Sequence, residues 1–330
     1  MIVNFNNPNQ YYMSLLTQEQ SLVYSIILDG IRNFKDEISI PPISRVEMSK
    51  IWEYIMLDNP LIFYTRDYVQ MVNPQEMVKA VSPTYELSKQ TAKEHLNEII
   101  KHMLKFSSIG GKNQIEKELF IHDQCTSKLT YDASIGSNAY TILGPILNKA
   151  AVCEGISKYA KLAFDYVGMK SLVVTGELKK PTPDTPEGHA WNIVEVGNKP
   201  YHLDITLNLT IMGKMKRYDY FNLSDKNIKK DHVILSNVPV CSTEGKDYYS
   251  EALLVMNSFE MLSRHIANCL KKGKKSILIR MGDNFNSIGL EAMVMKIAKD
   301  EYTAITNNGF EIEISSNEYQ MVYEIHYKKI

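Results

Sequence analysis

The dipeptide Gly197-Asn198 lies between two runs of alternating character, HAWNIVEV before it and KPYHLDITLN after it. Gly and Asn accept the left-handed backbone angles of a two-residue hairpin turn, and alternation at period two marks half-buried strands. The pattern predicts an antiparallel hairpin. Centring the turn there sets Val196 opposite Lys199, Trp191 opposite Asp204 and His189 opposite Thr206. His189, Trp191 and Asp204 then share one face, with Asp204 diagonal to His189 at roughly 7 Å or less between Cβ atoms. A one-residue slip would send Asp204 to the other face.

Upstream, Val152, Ile156, Tyr159, Ala160, Ala163, Phe164 and Val167 recur on one side of a helix that Gly168 stops. Cys153 falls in its first turn, where unpaired N–H groups and the positive end of the helix dipole favour a thiolate. Gly155 leaves room there for a substrate to approach the sulfur. A lone cysteine at such a place is ordinarily a small buried residue. Beside a histidine and a carboxylate it fits the nucleophile, base and orienter arrangement: the imidazole takes the thiol proton and returns it to a leaving group, while the carboxylate steadies the imidazolium. The Cys153 N–H is the natural first oxyanion donor.

VCEGISKYAKLAFDYVGMKSLVVTG, GHAWNIVEV and KPYHLDITLN resemble the three motif blocks of the transglutaminase-like superfamily of bacterial type, which is similar to the papain-like cysteine proteases and amidases. IHDQCTSKLTYD, the Ala139-Tyr140 region and YFNLSDKNIKKDHVIL extend the likeness over residues 113–240. The resemblance implies an α+β fold, a papain-like transglutaminase core in which a helix bearing Cys packs on an antiparallel sheet bearing His and Asp. It implies Cys153 as nucleophile, His189 as base and Asp204 as orienting carboxylate, with Trp191, Tyr140 and Glu154 as candidates for the substrate cleft. After Asp204 the chain departs from the bacterial pattern, with Ile205-Thr206-Leu207-Asn208 in place of Pro-Thr-Trp-Asp or Val-Thr-Trp-Asp.

Elsewhere, helical periodicity marks residues 12–34, 44–57, 88–104 and 114–129, with Pro41 and Pro42 as an interruption and 61–72 as a possible strand. Beyond residue 249 come a helix to 270, the basic turn KKGKK, a strand at 276–280, a helix at 287–298 and two late strands. The 330 residues therefore divide into a mostly helical N-terminal region (1–112), a transglutaminase-like domain (113–249) and a small α/β C-terminal domain (250–330).

Lys plus Arg number 37 and Asp plus Glu 38, a net charge of −1, so nucleic acid is not an expected partner. No window approaches the roughly 18 apolar residues of a membrane span, and the start lacks the marks of a secretory signal. A cytoplasmic protein is expected, with no membrane partner. The four cysteines form no CxxC pair, which suggests neither disulfides nor a cysteine zinc site. A zinc site from His189, His202 and His232 lacks the usual short ligand spacings, so no metal or organic cofactor is expected. His202, on the same face as Asp204, competes with His189 as base, but His189 at a strand start is better placed to meet a thiol. The loop KKPTPDTPEG before His189 is a stiff lid or a solvated connection.

The expected reaction is acyl transfer at an amide of a peptide or protein through a Cys153 thioester, with water as acceptor in preference to a cross-linking amine. The alternative is a catalytically silent module that binds a peptide or cell-wall fragment in the same cleft. Oligomeric state has no signature in the sequence.

Overall fold

A computed structural model describes residues 9–179, 187–211, 213–306 and 309–329. The chain divides into two compact units, Met1–Gly176 with Gly188–Asn198, and Glu177–Glu187 with Lys199–Ile330. Most of the KKPTPDTPEG loop, including Pro181, Pro183 and Pro186, lies outside the described residues.

In the first unit, helices start where local side chains can satisfy their first N–H groups. α1 (Gln18–Arg32), α2 (Arg45–Asp58) and α4 (Gln114–Lys128) each carry a reciprocal capping box, from Thr17 and Gln20, Ser44 and Glu47, and Asn113 and Glu116. α3 (Lys89–Met103) is capped by Ser88. Alongside these helices runs an antiparallel sheet of β1 (Ile38–Ile43), β2 (Thr65–Val72) and β3 (Val78–Tyr85) in the order β1-β3-β2. The expected break at Pro41 and Pro42 is instead part of β1. An edge strand tolerates residues that cannot donate to a ladder, and the β1 register is irregular between Ser39 and Ile43.

A short parallel pair, β4 (Thr130–Tyr131) with β5 (Ala150–Ala151), delivers the chain to α5 (Cys153–Tyr166). α5 is buried on all sides from Gly155 to Phe164, beyond the single apolar face its periodicity predicts. The cationic head of Lys161 is accommodated by Asp165 at 2.9 Å and the Asn9 carbonyl at 3.1 Å. Gly168, at φ +74°, ends the helix as expected. β6 (Ser171–Leu178) and β7 (Glu187–Val196) follow as neighbouring strands. After β7, Gly197 and Asn198 both adopt φ near +59°, the conformation that a two-residue hairpin turn requires.

The second unit opens with β8 (Lys199–Leu203), α6 (Ile205–Thr210), α7 (Asp225–Ile228) and β9 (His232–Ile234). Here the structure corrects the strand expected over KPYHLDITLN. The strand ends at Leu203, and Asp204 caps α6 by accepting the Leu207 N–H at 2.9 Å. The pairing of His189 with Thr206 therefore does not apply, because Thr206 is helical.

The chain continues through α8 (Tyr248–Glu251), β10 (Val255–Met256), α9 (Phe259–Lys271), β11 (Ser276–Met281), α10 (Leu290–Ile305), β12 (Phe310–Asn317) and β13 (Val322–Lys329). Its sheet has the order β10-β11-β13-β12, parallel at the first pair and antiparallel at the others. Ile277 and Ile279 pack with Leu262, Ile266, Val294 and Ala298 from α9 and α10, while Leu278 packs with Tyr249 and Val322. Buried Arg217 forms a bidentate pair with Asp219, at 3.0 and 2.7 Å, and Asp219 also accepts from Tyr249 and Asn317. Among the described residues, no helix is long and apolar enough to cross a membrane.

Candidate active site

Cys153 is the first residue of α5, and its N-cap, Val152, gives the first turn no side-chain acceptor. The positive end of a 14-residue helix thus stays directed at whatever anion approaches the sulfur. Cys153 is partly exposed, whereas Cys125, Cys241 and Cys269 are buried. Burial pushes the thiols of Cys125 and Cys241 up to about 12 and raises that of Cys269, leaving these three as poor nucleophiles.

The start of α5 is fastened to the strand that carries the histidine. Ser157 Oγ lies 2.8 Å from the Cys153 carbonyl oxygen and 3.0 Å from the Ala190 carbonyl oxygen, so one hydroxyl proton serves both. Asn192, fully buried on β7, donates through Nδ2 to the Ser157 carbonyl at 3.0 Å and the Leu172 carbonyl at 3.2 Å. These contacts dock the first turn of α5 beside the residue that follows His189. His189 is 8% exposed, and its ring stacks on Trp191 at a centroid separation of 5.9 Å.

The cleft candidates take different places. Trp191 is wholly buried, so it supports the His189 ring from below and offers no face to solvent. Glu154 is held one turn along its own helix by Lys158 at 2.6 Å. Tyr140 is partly buried, with the Arg66 guanidinium 4.4 Å from its ring centre. Gly155 does not open a path to the sulfur. A Cβ there would meet the Ala139 carbonyl oxygen at 2.2 Å and the Ala151 Cβ at 2.9 Å, so the glycine is required for close packing of α5 on the preceding segment.

Asp204, in the second unit, is fully buried and uses both carboxylate oxygens there: Oδ1 caps α6, and Oδ2 lies 3.1 Å from His232 Nε2. The other ring nitrogen of His232 lies 2.6 Å from Asp231. Burial pulls the His232 pKa down, but hydrogen bonds to two carboxylates outweigh it and raise the value above the ordinary histidine range. His202 instead pairs with Asp225 at 2.9 Å, so His202 and His232 bond different carboxylates.

Ser157, Asn192 and Asp231 escaped the sequence reading, and His232 entered it only in a zinc set that lacked the usual spacings. Ser157 bonds Ala190, Asn192 bonds Ser157 and His232 bonds Asp204, each more than 25 positions away, and no local spacing announces that. A cleft of about 1190 Å³ in the second unit, lined by Tyr220, Lys226, Lys230, Asp283, Phe285 and Asn317 among others, takes in none of the predicted site residues.

The architecture is a mixed α and β one with antiparallel sheets, in which a cysteine-bearing helix docks on a histidine-bearing strand. No family model matches the chain, and no curated protein matches it. Among the solved structures that resemble part of it are the following two. A candidate cysteine protease from Cytophaga hutchinsonii aligns at 14% identity over 42% of this chain and 61% of its own, with a TM-score of 0.29. A protein described as a TGase aligns at 15% identity over 55% of this chain and 52% of its own, with a TM-score of 0.32. The chain spans less than two thirds of either protein.

Proposed function

We propose that the chain is a cysteine-dependent acyl transferase acting on amide bonds of peptides or proteins, with Cys153 as nucleophile and His189 as base. The reading also keeps Asp204, from the sequence motif, as the orienting carboxylate. Cys153 Sγ attacks the amide carbon while its proton passes to His189. The oxyanion that forms is stabilised by N–H groups at the start of α5. His189 then protonates the departing amine as the carbon–nitrogen bond breaks, leaving a thioester; water attacks it, giving a proton to His189, and as the carbon–sulfur bond breaks that proton passes to Cys153 Sγ. Hydrolysis or deamidation is favoured over cross-linking, since water competes at any solvent-reached thioester.

The observation that carries this reading is the shared hydroxyl of Ser157, which bonds both the Cys153 carbonyl and the Ala190 carbonyl. It locks a partly exposed thiol at an uncapped helix start to the strand position adjoining a histidine. Alkylation by iodoacetamide tests it. An activated Cys153 reacts at pH 6 faster than an unperturbed thiol of pKa about 8.5, and His189→Ala removes that excess. Because burial alone slows the other three cysteines, the comparison is with a free thiol and with the His189→Ala chain. An ordinary pH profile, unchanged by His189→Ala, would sink the catalytic assignment.

A further inference from the structure

The second unit brings a histidine, a carboxylate and a thiol together far from Cys153 in sequence. His202 stands on β8, Asp225 opens α7, and Cys241 lies in the segment after β9. One ligand atom from each, nitrogen, oxygen and sulfur, lies within 4.8 Å of the others. We propose that His202, Asp225 and Cys241 form a binding site for one divalent transition ion of the zinc class.

Geometry is the first support. A tetrahedral zinc ion with bonds of roughly 2.0 to 2.3 Å holds its ligand atoms about 3.3 to 3.7 Å apart, so the cluster needs adjustments of at most about 1.5 Å. The backbone already fixes the three positions. Asp225 N–H donates to the Cys241 carbonyl at 2.8 Å, and Cys241 N–H donates to Asp225 Oδ1 at 3.1 Å. His202 exchanges two backbone hydrogen bonds with Leu223, both 2.9 Å, two residues before Asp225. The backbone positions of the three residues are thus set before any ion arrives.

Chemistry is the second. Sulfur and imidazole select zinc, cobalt or a similar ion and disfavour magnesium and calcium, which take oxygen donors. A thiolate, a carboxylate and a neutral imidazole around a dication sum to zero charge, which suits a cluster whose His202 and Cys241 are both buried. On binding, bonds form from the ion to sulfur, nitrogen and oxygen. The S–H bond breaks and its proton leaves to solvent, the imidazole proton settles on Nδ1, and water completes the fourth position. Lys229 Nζ, 3.0 Å from Asp225 Oδ2, orients the carboxylate from outside.

The test uses the full chain carrying Cys153→Ala, so that the thiol at the start of α5 supplies no signal. Cobalt(II) is titrated into metal-free protein and the near-ultraviolet thiolate-to-cobalt charge-transfer band is followed. Zinc affinity is measured in parallel by competition with a chromophoric chelator. One equivalent of cobalt should generate the band, zinc should abolish it, and proton release should accompany binding. Cys241→Ser should remove the band and weaken zinc by more than the roughly ten- to hundredfold that loss of an outer-shell partner costs. Cys269→Ser is the control, because Cys269 Sγ lies 3.5 Å from His265 Nε2 and is the competing source of a thiolate. Absence of the band in the chain with the cluster intact overturns the proposal without any cluster variant having to fold. So does a band that survives Cys241→Ser and is lost with Cys269→Ser.

Discussion

Three residues illustrate how one side chain, or its absence, carries the structure. Gly155 has no space for a methyl group, because the nearest atom is a backbone oxygen at 2.2 Å. Gly155→Ala should therefore cost about 1–3 kcal/mol or more as overpacking, measured by urea denaturation, and should lower Cys153 alkylation by displacing the helix start. Ser157→Ala leaves two carbonyls without their shared donor. The expected loss is about 1 kcal/mol of stability, with a fall in the Cys153 alkylation rate at pH 6 larger than that stability loss explains. Asp58, buried among the Tyr12 and Met13 N–H groups and the Tyr24 hydroxyl, has its pKa pushed up to about 6, chiefly by burial. Since the folded value is raised, its contribution to stability is complete below the unfolded value near pH 4 and disappears as pH rises through 6. Chemical denaturation between pH 4 and 7 should show Asp58→Asn differing from the parent in pH slope, by an integrated amount of about 3 kcal/mol.

At the level of elements, helix starts were readable because their physics is local. Ser44, Ser88 and Asn113 each cap within three residues, and the expected helices begin within a residue of them. The same local physics misleads where two signals compete: ITLN alternates like a strand, yet the Asp204 side chain captures the Leu207 N–H and turns it into helix. Strands in the first unit were harder to read. Pro41 and Pro42 sit in β1 at the sheet edge, and Pro83 occupies β3 beyond Val81, where the β1 pairing stops. Only the sheet order shows that neither site needs an N–H on that side. In the second unit, the Arg217–Asp219 pair ties β12 and α8 through Asn317 and Tyr249. Asp219→Ala should destabilise that unit by about 3–5 kcal/mol, because it leaves a buried guanidinium unpaired. Thermal unfolding followed by circular dichroism measures it.

For the molecule as a whole, the net charge of −1 provides no long-range field to gather charged substrates. Raising salt from about 10 mM to 150 mM, which shortens the screening length from roughly 30 to 8 Å, should alter Cys153 alkylation by neutral and charged reagents alike by less than about threefold. A strong salt dependence confined to one reagent charge would reveal a local field that composition does not disclose. The chain also crosses between its two units three times, at residues 176/177, 187/188 and 198/199.

By itself, the sequence determined the features that act over a few residues: Cys153 in the first turn of α5, the left-handed turn at Gly197 and Asn198, His189 within a strand, and the helix starts at Ser44, Ser88 and Asn113. Local hydrogen bonding and backbone sterics suffice for these, and any chain with this pattern meets the same constraints. The tertiary structure alone decided that Ser157 joins the cysteine helix to β7, that Gly155 serves packing, that His232 takes one oxygen of Asp204, and that His202, Asp225 and Cys241 converge. Those partners are separated along the chain, and only burial in a packed unit makes an approach of 3 Å between them worth its loss of hydration.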